Sequence, residues 1–405
     1  MRRACVALLL AIALVPAAGA AASPSPAARV TQRPGAVRDY WTSARMRAAQ
    51  PAGLRLLADG TVVPERSSAV DAGADSTAFP QRVHGKVFFT VVGGSEPGDY
   101  VCSGTVVTSN SHALAWTAGH CVNDAEFGGG FATNWAFVPG YRDGARPFGT
   151  WPAKQLLTTK GWKQGANVRV DFGAAVLARD AQGRGIEDAV GARQIAFDAE
   201  REENYTAFGY PAEPTLLHPE FDGERLYSCA SALTGGDEPP GGGPDPLEID
   251  CDMTGGSSGG GWVIDGGQVA SVTSYGYTGD LFHLYGPYQG SIAHELYDEA
   301  AGPPLLCAGT QVTNLGGAGT NTFTGTDSTD AFRLVGGADR VQGAGGDDRA
   351  CGGGGGDRLS GGDGADVLRG GSGRDLLIGG PGHDVCDGGA GHDRVRSCEE
   401  RKRVP

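Results

Sequence analysis

No stretch of this sequence is apolar for long enough to cross a membrane. The longest apolar run, Val6 to Val15, has about ten residues, whereas a helix needs about 20 to span a hydrocarbon core about 30 Å thick. A surplus of positive charge is also missing, since 33 Lys and Arg stand against 47 Asp and Glu for a net charge of -14. Such a chain offers no basic face to a phosphate backbone, which excludes nucleic acid as a partner and fits cations better. Cys-x-x-Cys pairs are absent, and the cysteines come without histidines at zinc-finger spacing, which excludes a structural zinc site. Residues 23–80, rich in Ala, Pro, Ser and Arg, lack any sustained apolar period and read as a propeptide or disordered segment.

The N-terminus has the layout of a signal peptide over residues 1–22: Arg2 and Arg3, the apolar run, then small residues from Ala17 to Ala22. The expected location is secreted and extracellular, with cleavage near Ala20 or Ala22. Cys5 leaves with that segment, and the remaining eight cysteines form an even set in an oxidising compartment, which favours disulfides. At 405 residues the chain has room for two or three domains. Its 69 glycines exceed the usual share of about 7% and must be concentrated somewhere.

Residues 81–300 carry short β-branched and aromatic runs separated by Gly, Asn, Asp and Pro, such as Val87 to Val92 and Gly104 to Val107, the texture of an all-β barrel or sandwich. Ile292 to Glu299 reads as a short helix, and residues 301–315 as a linker. Within the first unit, Thr117-Ala-Gly-His-Cys121 follows the strand-like Ala113-Leu-Ala-Trp116. Cys121 can pair with Cys102, which would pin the loop that aims the His120 imidazole. Further on, Thr254-Gly-Gly-Ser-Ser-Gly-Gly-Gly-Trp262 surrounds a serine with glycines. A nucleophilic serine needs backbone N–H groups converging on a developing oxyanion, and residues without Cβ let the chain turn tightly and a substrate approach.

These two stretches, with Val170-Asp-Phe-Gly-Ala-Ala-Val-Leu177 between them, resemble the chymotrypsin-like serine peptidases, which use the order His, Asp, Ser. The resemblance covers roughly residues 80–300 and implies a double six-stranded β-barrel. It implies His120 as general base, Asp171 as its orienting partner, with Asp180 the nearest competitor, and Ser258 as nucleophile. Gly256 and Ser258 would supply the oxyanion-hole N–H groups. Ser258 is preferred to Ser257 because it precedes Gly259-Gly260, as the family's nucleophile precedes two glycines. Ser257 stands where trypsin-type zymogens carry an aspartate, and no Ile-Val-Gly-Gly start is present, so the likeness is closer to bacterial glutamyl-endopeptidase-type members. Ser274-Tyr275-Gly276 resembles the strand that pairs with the substrate backbone. Thr273 stands where glutamyl endopeptidases carry histidine, so a glutamate preference is unsupported. Asp252 has the spacing of a pocket-floor aspartate, which would favour Arg or Lys, or else it braces the nucleophile loop. Cys229 and Cys251 bracket the Gly- and Pro-rich stretch Thr234 to Pro246, expected as a disulfide-closed loop at the substrate rim.

The tail, residues 316–398, repeats every nine residues from Gly316. Its sixth positions are Asn321, Asp330, Asp339, Asp348, Asp357, Asp366, Asp375, Asp384 and Asp393, and its eighth positions are mostly apolar, from Phe323 to Val395. Gly-Gly-x-Gly-x-Asp-x-apolar-x resembles the RTX-type nonapeptide of a parallel β-roll, in which glycine carbonyls and Asp carboxylates bind Ca²⁺. The eight aspartates are thus candidate calcium ligands, and no cofactor is required for the catalytic chemistry. Cys386 and Cys398 are expected to pair, with Cys307 and Cys351 the remaining candidates. The expected function is a secreted serine endopeptidase acting on protein or peptide substrates, its repeats facing a cell surface or extracellular polymer. The alternative is a catalytically inactive protease-like domain serving as a calcium-dependent adhesion protein. An α/β-hydrolase esterase is excluded, because its nucleophile should precede its Asp and His.

Overall fold

The computed structural model describes residues 24–57, 62–64, 76–215, 218–280, 282–303, 306–312, 314–316 and 319–404. The expected signal peptide lies outside the described residues. The architecture is all-β: two antiparallel barrels followed by a parallel β-roll. Among the described residues no helix is long and apolar enough to cross a membrane.

The first barrel consists of β1 (His84–Val91), β2 (Gly98–Val107), β3 (Leu114–Thr117), β4 (Thr133–Pro139), β5 (Trp151–Thr158) and β6 (Gly173–Leu177). The strands run in the order β5-β6-β3-β2-β1-β4, and β4 pairs back onto β5 through Ala136 with Pro152 and Phe137 with Trp151, so no edge is left open. The interior is filled by Val87, Val106, Leu114, Trp116, Phe137 and Leu156, all buried. The second barrel is β7 (Asn204–Gly209), β8 (Tyr227–Gly236), β9 (Leu247–Asp250), β10 (Gly261–Ile264), β11 (Val269–Val272) and β12 (His283–Gly286), in the order β11-β10-β7-β8-β9-β12. Ser271 Oγ donates to the Pro287 carbonyl at 2.9 Å and links the two ends of that order. Helix Ser291–Ala301 buries Ala293, Leu296, Ala300 and Ala301 against the first barrel.

Residues 24–57, part of the segment read from sequence as a propeptide or disordered, are ordered against the first barrel. Ala27–Arg29 adds a strand to β5, helices Pro34–Tyr40 and Ser43–Ala48 come next, and Val37, Trp41 and Met46 are buried in the core of the first barrel. Three apolar side chains spread over a short stretch give no periodic signal, yet they suffice once a preformed barrel supplies the other side of the contact.

The roll has one coil per two nonapeptides. Strands pair in parallel at an 18-residue offset, for example Leu359 beside Leu377 and Leu368 beside Cys386. The eighth-position side chains from Phe332 to Cys386 stack in one apolar column, flanked by Phe323 and Val395. Four disulfides join Cys102 to Cys121, Cys229 to Cys251, Cys307 to Cys351 and Cys386 to Cys398. The third alters the expected linker, because Leu306–Cys307 and Thr310–Gln311 form a hairpin stapled to the first coils.

His84 sits where the barrels meet. Its ring stacks on Phe208 at 4.0 Å, Nδ1 bonds Thr105 Oγ1 at 2.9 Å, and Arg193 Nε donates to Nε2 at 3.2 Å. Burial, helped by the Arg193 charge, holds the imidazole well below its usual value of 6.5 and so neutral. Below that pH the unfolded chain takes up a proton that the native state refuses, and stability falls as pH drops, by at most about 1.4 kcal/mol per pH unit for this one group. Denaturant unfolding of His84→Gln between about pH 6.5 and 4.5 is expected to show a slope shallower by about one proton. An unchanged slope would contradict this account.

Candidate active site

His120 lies in the turn after β3, where Cys121 is tied back to Cys102 in β2. Its Nδ1 bonds Asp171 Oδ2 at 2.7 Å, and its backbone N–H donates to Asp171 Oδ1 at 2.9 Å. The carboxylate fixes the tautomer with hydrogen on Nδ1, leaving Nε2 as the basic nitrogen. That Nε2 is buried and has no hydrogen-bond partner within the protein. Asp171 comes directly after the short 3-10 turn Val168–Val170 and is fully buried. It also accepts the Ser274 hydroxyl at 2.7 Å, a contact made across from the second barrel. Gly119 allows this approach, since a Cβ there would meet Asp171 Oδ1 and Trp162 Cγ, each at 2.7 Å. Asp180 pairs instead with Arg184 at the surface, 2.9 Å away.

The serine loop leads into β10. Ser258 is buried, its carbonyl accepts from Ser103 N at 2.7 Å, and Cys121 Sγ lies 3.5 Å from the same oxygen, so the loop rests on the His120 turn. Ser257 Oγ is turned back onto the Thr254 carbonyl at 2.6 Å. Gly256 has φ +94°, a backbone state that L side chains rarely adopt, and its N–H donates to the Ala52 carbonyl at 2.7 Å.

Tyr275 and Gly276 lie in a short strand, Tyr275–Tyr277. The hydroxyls of Tyr275 and Tyr277 both donate to Asp237 Oδ2, at 2.6 and 2.7 Å. Burial and that carboxylate push both phenols up. Asp237 belongs to the Gly- and Pro-rich loop bracketed by Cys229 and Cys251, and Arg169 holds the far side of the loop through Asp245 at 2.5 Å and the Pro239 carbonyl at 2.7 Å. A cavity of about 440 Å³ beside His120 is lined by Leu54, Tyr100, Asp124, Glu126 and Glu213. Burial pushes the Asp124 carboxyl up to about 6. Asp252 lines a different hollow, with Ser228, Cys229 and Phe282, and its carboxyl is also raised to about 6 by burial. The roles of Ser274 as a partner of Asp171 and of Ala52 opposite Gly256 were not legible in the sequence. A Ser-Tyr-Gly triplet signals a strand, not a hydrogen bond across barrels, and Ala52 carries no chemical signal at all.

In the tail, each sixth-position Asp from Asp348 to Asp393 uses one oxygen to accept the backbone N–H of the Asp 18 residues earlier, as Asp375 does for Asp357 at 2.9 Å, Asp339 accepts that of Asn321, and Asp330 accepts from Thr326 N instead. The other oxygens of Asp339, Asp348, Asp357, Asp366, Asp375, Asp384 and Asp393 are buried without partners. From Asp348 onward each faces a glycine whose Cβ would collide with it, Gly361 against Asp366 for example. Burial raises Asp357 and Asp366 to about 6. Rows of desolvated, unpartnered carboxylate oxygens beside glycine turns fit a hard cation, and these Asp oxygens with turn carbonyls would hold Ca²⁺. Near His120, by contrast, the sulfur atoms of Cys102 and Cys121 are bonded to each other and are not metal ligands.

Residues 360–395 match the RTX calcium-binding nonapeptide repeat, in four copies. The chain is 38% identical to the protease Anisep from Arthrobacter nicotinovorans, over 54% of this chain and 95% of that one, with a TM-score of 0.48. It is 39% identical to AL20, a thermostable serine protease from an extremophilic microorganism, over 54% of this chain and 97% of that one, with a TM-score of 0.48. A 104-residue stretch, 26% of this chain, is 29% identical to a Bacillus subtilis protein named extracellular metalloprotease, of whose length it spans 31%.

The tail gives a direct expectation for metal. Calcium at about 100 times its dissociation constant should stabilise the roll by about 2.7 kcal/mol, or more with several coupled sites. Far-UV circular dichroism melts of the whole protein, with calcium and then with excess chelator, would register this as a separate tail transition that moves down on chelation. Superimposable melts would count against it.

Proposed function

The chain belongs to the chymotrypsin-like serine proteases, with an RTX-type repeat roll behind the catalytic unit, and from that premise we propose that it is a secreted endopeptidase. Its substrates are extracellular proteins or peptides. The single observation that carries the proposal is the buried Asp171 carboxylate locking the His120 imidazole with Nε2 presented as the base. A binding module has no use for that arrangement, which demands the burial of a charge. The catalytic unit corresponds to residues 81–300 and the calcium-binding roll to 316–398, with residues 1–22 as the export signal.

In the proposed reaction the Ser258 hydroxyl attacks the scissile carbonyl carbon while His120 Nε2 takes its proton. Asp171 holds the imidazole in position and stabilises the imidazolium. The oxygen of the tetrahedral intermediate becomes negative, and the N–H groups of Gly256 and Ser258 would receive it. Collapse breaks the C–N bond, His120 returns the proton to the leaving amine, and an acyl group remains on Ser258. Water then attacks that ester with the same base, which regenerates Ser258 and releases the acid. Bound calcium supplies charge neutralisation and rigidity to the roll, and no step at Ser258 passes through it. Substrate backbone pairs with the strand after Ser274, and the loop held at Asp237 forms the rim.

Calcium-loaded protein recovered from the culture medium should react with a fluorophosphonate probe and hydrolyse casein. Ser258→Ala should abolish both, and Asp171→Asn should lower kcat by about 10⁴-fold. Ser274→Ala, which removes one hydrogen bond to a charged group, should lower kcat by about tenfold with little change in KM. Folded protein with an open cleft that neither labels nor cleaves would favour the adhesion-module reading.

A further inference from the structure

We propose that residues 50–56, Gln-Pro-Ala-Gly-Leu-Arg-Leu, are a ligand of the catalytic cleft that lies in it backwards and blocks it. The inference rests on the peptidase reading and concerns the regulation of that same site.

The segment crosses the cleft from end to end. Gln50 and Pro51 pair in parallel with Tyr100 and Val101, and Ala52 N donates to the Val101 carbonyl at 2.9 Å. The Ala52 carbonyl then accepts from Gly256 N at 2.7 Å, taking a donor that the reaction reserves for the oxyanion. Beyond it, Leu54, Arg55 and Leu56 pair in parallel with Tyr275, Gly276 and Tyr277, and Thr278 N donates to the Leu56 carbonyl at 2.9 Å. Leu54 and Leu56 are buried in an apolar cluster with Trp162, Val168, Tyr275 and Tyr285. Arg55 is 4% exposed and donates to the Tyr277 and Asp280 carbonyls at 3.3 and 3.2 Å. Even the bare Gly255 matters, because a Cβ there would stand 3.2 Å from Pro51 Cβ.

Direction decides why such a strand would block and not be cut. His120 must protonate the leaving amine, so the amine half of a substrate belongs on the His120 side, which is the side of Val101 and the Cys102–Cys121 bridge. The acyl half belongs along Tyr275–Tyr277. Residues 50–56 have these halves exchanged: Gln50 and Pro51, before Ala52, lie beside Tyr100 and Val101, whereas Leu54 to Leu56, after it, lie beside Tyr275 to Tyr277. The carbonyl is in place, but the nitrogen of Gly53 points away from the acid that would release it. The segment is also tethered, through Trp41 and Met46 in the barrel core, an Arg45–Asp99 ion pair at 2.9 Å and the Ala27–Arg29 strand. Tethering raises its effective concentration far above what a free heptapeptide would need.

The test uses full-length, calcium-loaded protein and the rate of fluorophosphonate labelling at Ser258. Wild type should label slowly. The double variant Leu54→Asp with Leu56→Asp should label about tenfold faster or more, because each buried leucine accounts for well over one tenfold step in occupancy. Arg55→Ala, which leaves the leucines in place, should give a smaller rise in the same direction. Hydrogen exchange provides a readout independent of chemistry: the Gly256 amide should be protected in wild type and exposed in the double variant. Added peptide of sequence Gln-Pro-Ala-Gly-Leu-Arg-Leu should slow labelling of the double variant and remain uncut, whereas the same residues in reverse order should be cleaved or ineffective. Equal labelling rates with an unprotected Gly256 amide in wild type would overturn the blocking role and leave the peptidase reading intact. Cleavage of the forward peptide would overturn the reversed orientation. No labelling of any form, with Gly256 protection still lost in the double variant, would instead overturn the peptidase reading itself.

Discussion

A buried carboxylate must be satisfied on every side or it costs several kcal/mol, and the catalytic half of this molecule is organised around satisfying one. Asp171 accepts from His120 twice and from Ser274 once. Asp171 and His120 come from the first barrel and Ser274 from the edge of the second, so the bond from Ser274 that completes the carboxylate's set also ties the two barrels together. Ser103 repeats the device nearby: its N–H binds the Ser258 carbonyl, its hydroxyl donates to the Gly256 carbonyl, and it accepts from Tyr210 N. The serine loop is therefore fixed to the first barrel by main-chain contacts before any substrate arrives. Function and fold specification are here the same set of hydrogen bonds.

The parts legible in the sequence were those whose chemistry is local. His120 beside Cys121, Ser258 among glycines and the nine-residue spacing of the aspartates each announce themselves within a short span of chain. Features that stayed hidden depend on distant partners. Trp41 looks like one aromatic in a polar leader until Asn134, 93 residues later, offers its carbonyl at 2.5 Å. Leu54-Arg55-Leu56 is too short to register as a strand and forms one only against Tyr275–Tyr277. Residues 301–315 read as a linker because the partner of Cys307 lies on a coil 44 residues away. Asp252 has the spacing of a pocket-floor aspartate, and the structure sets it in a hollow with Ser228, Cys229 and Phe282, contacts that spacing along the chain does not convey.

The roll illustrates the opposite case, in which sequence and geometry are almost the same statement. Every second nonapeptide returns to the same sheet, so the 18-residue offset converts a linear repeat into a stack of like upon like. Stacking identical acids would be self-defeating without a counter-charge. From Asp339 to Asp393 one oxygen of each Asp accepts a backbone N–H of the neighbouring coil or turn, and the other is left for a cation.

The two tail disulfides also set how far the roll could be pulled apart. Cys386–Cys398 closes the last coil and Cys307–Cys351 the first. A force applied at the C-terminus would peel coils one at a time, but only the chain between Cys351 and Cys386 could lengthen, by about 120 Å at most. Past that point the load would pass through covalent bonds to Cys307 and so to the helix at Ser291–Ala301. Anchored to a surface under shear, the tail would behave as a tether with a fixed stop, giving way over a limited distance and sparing the barrels behind it.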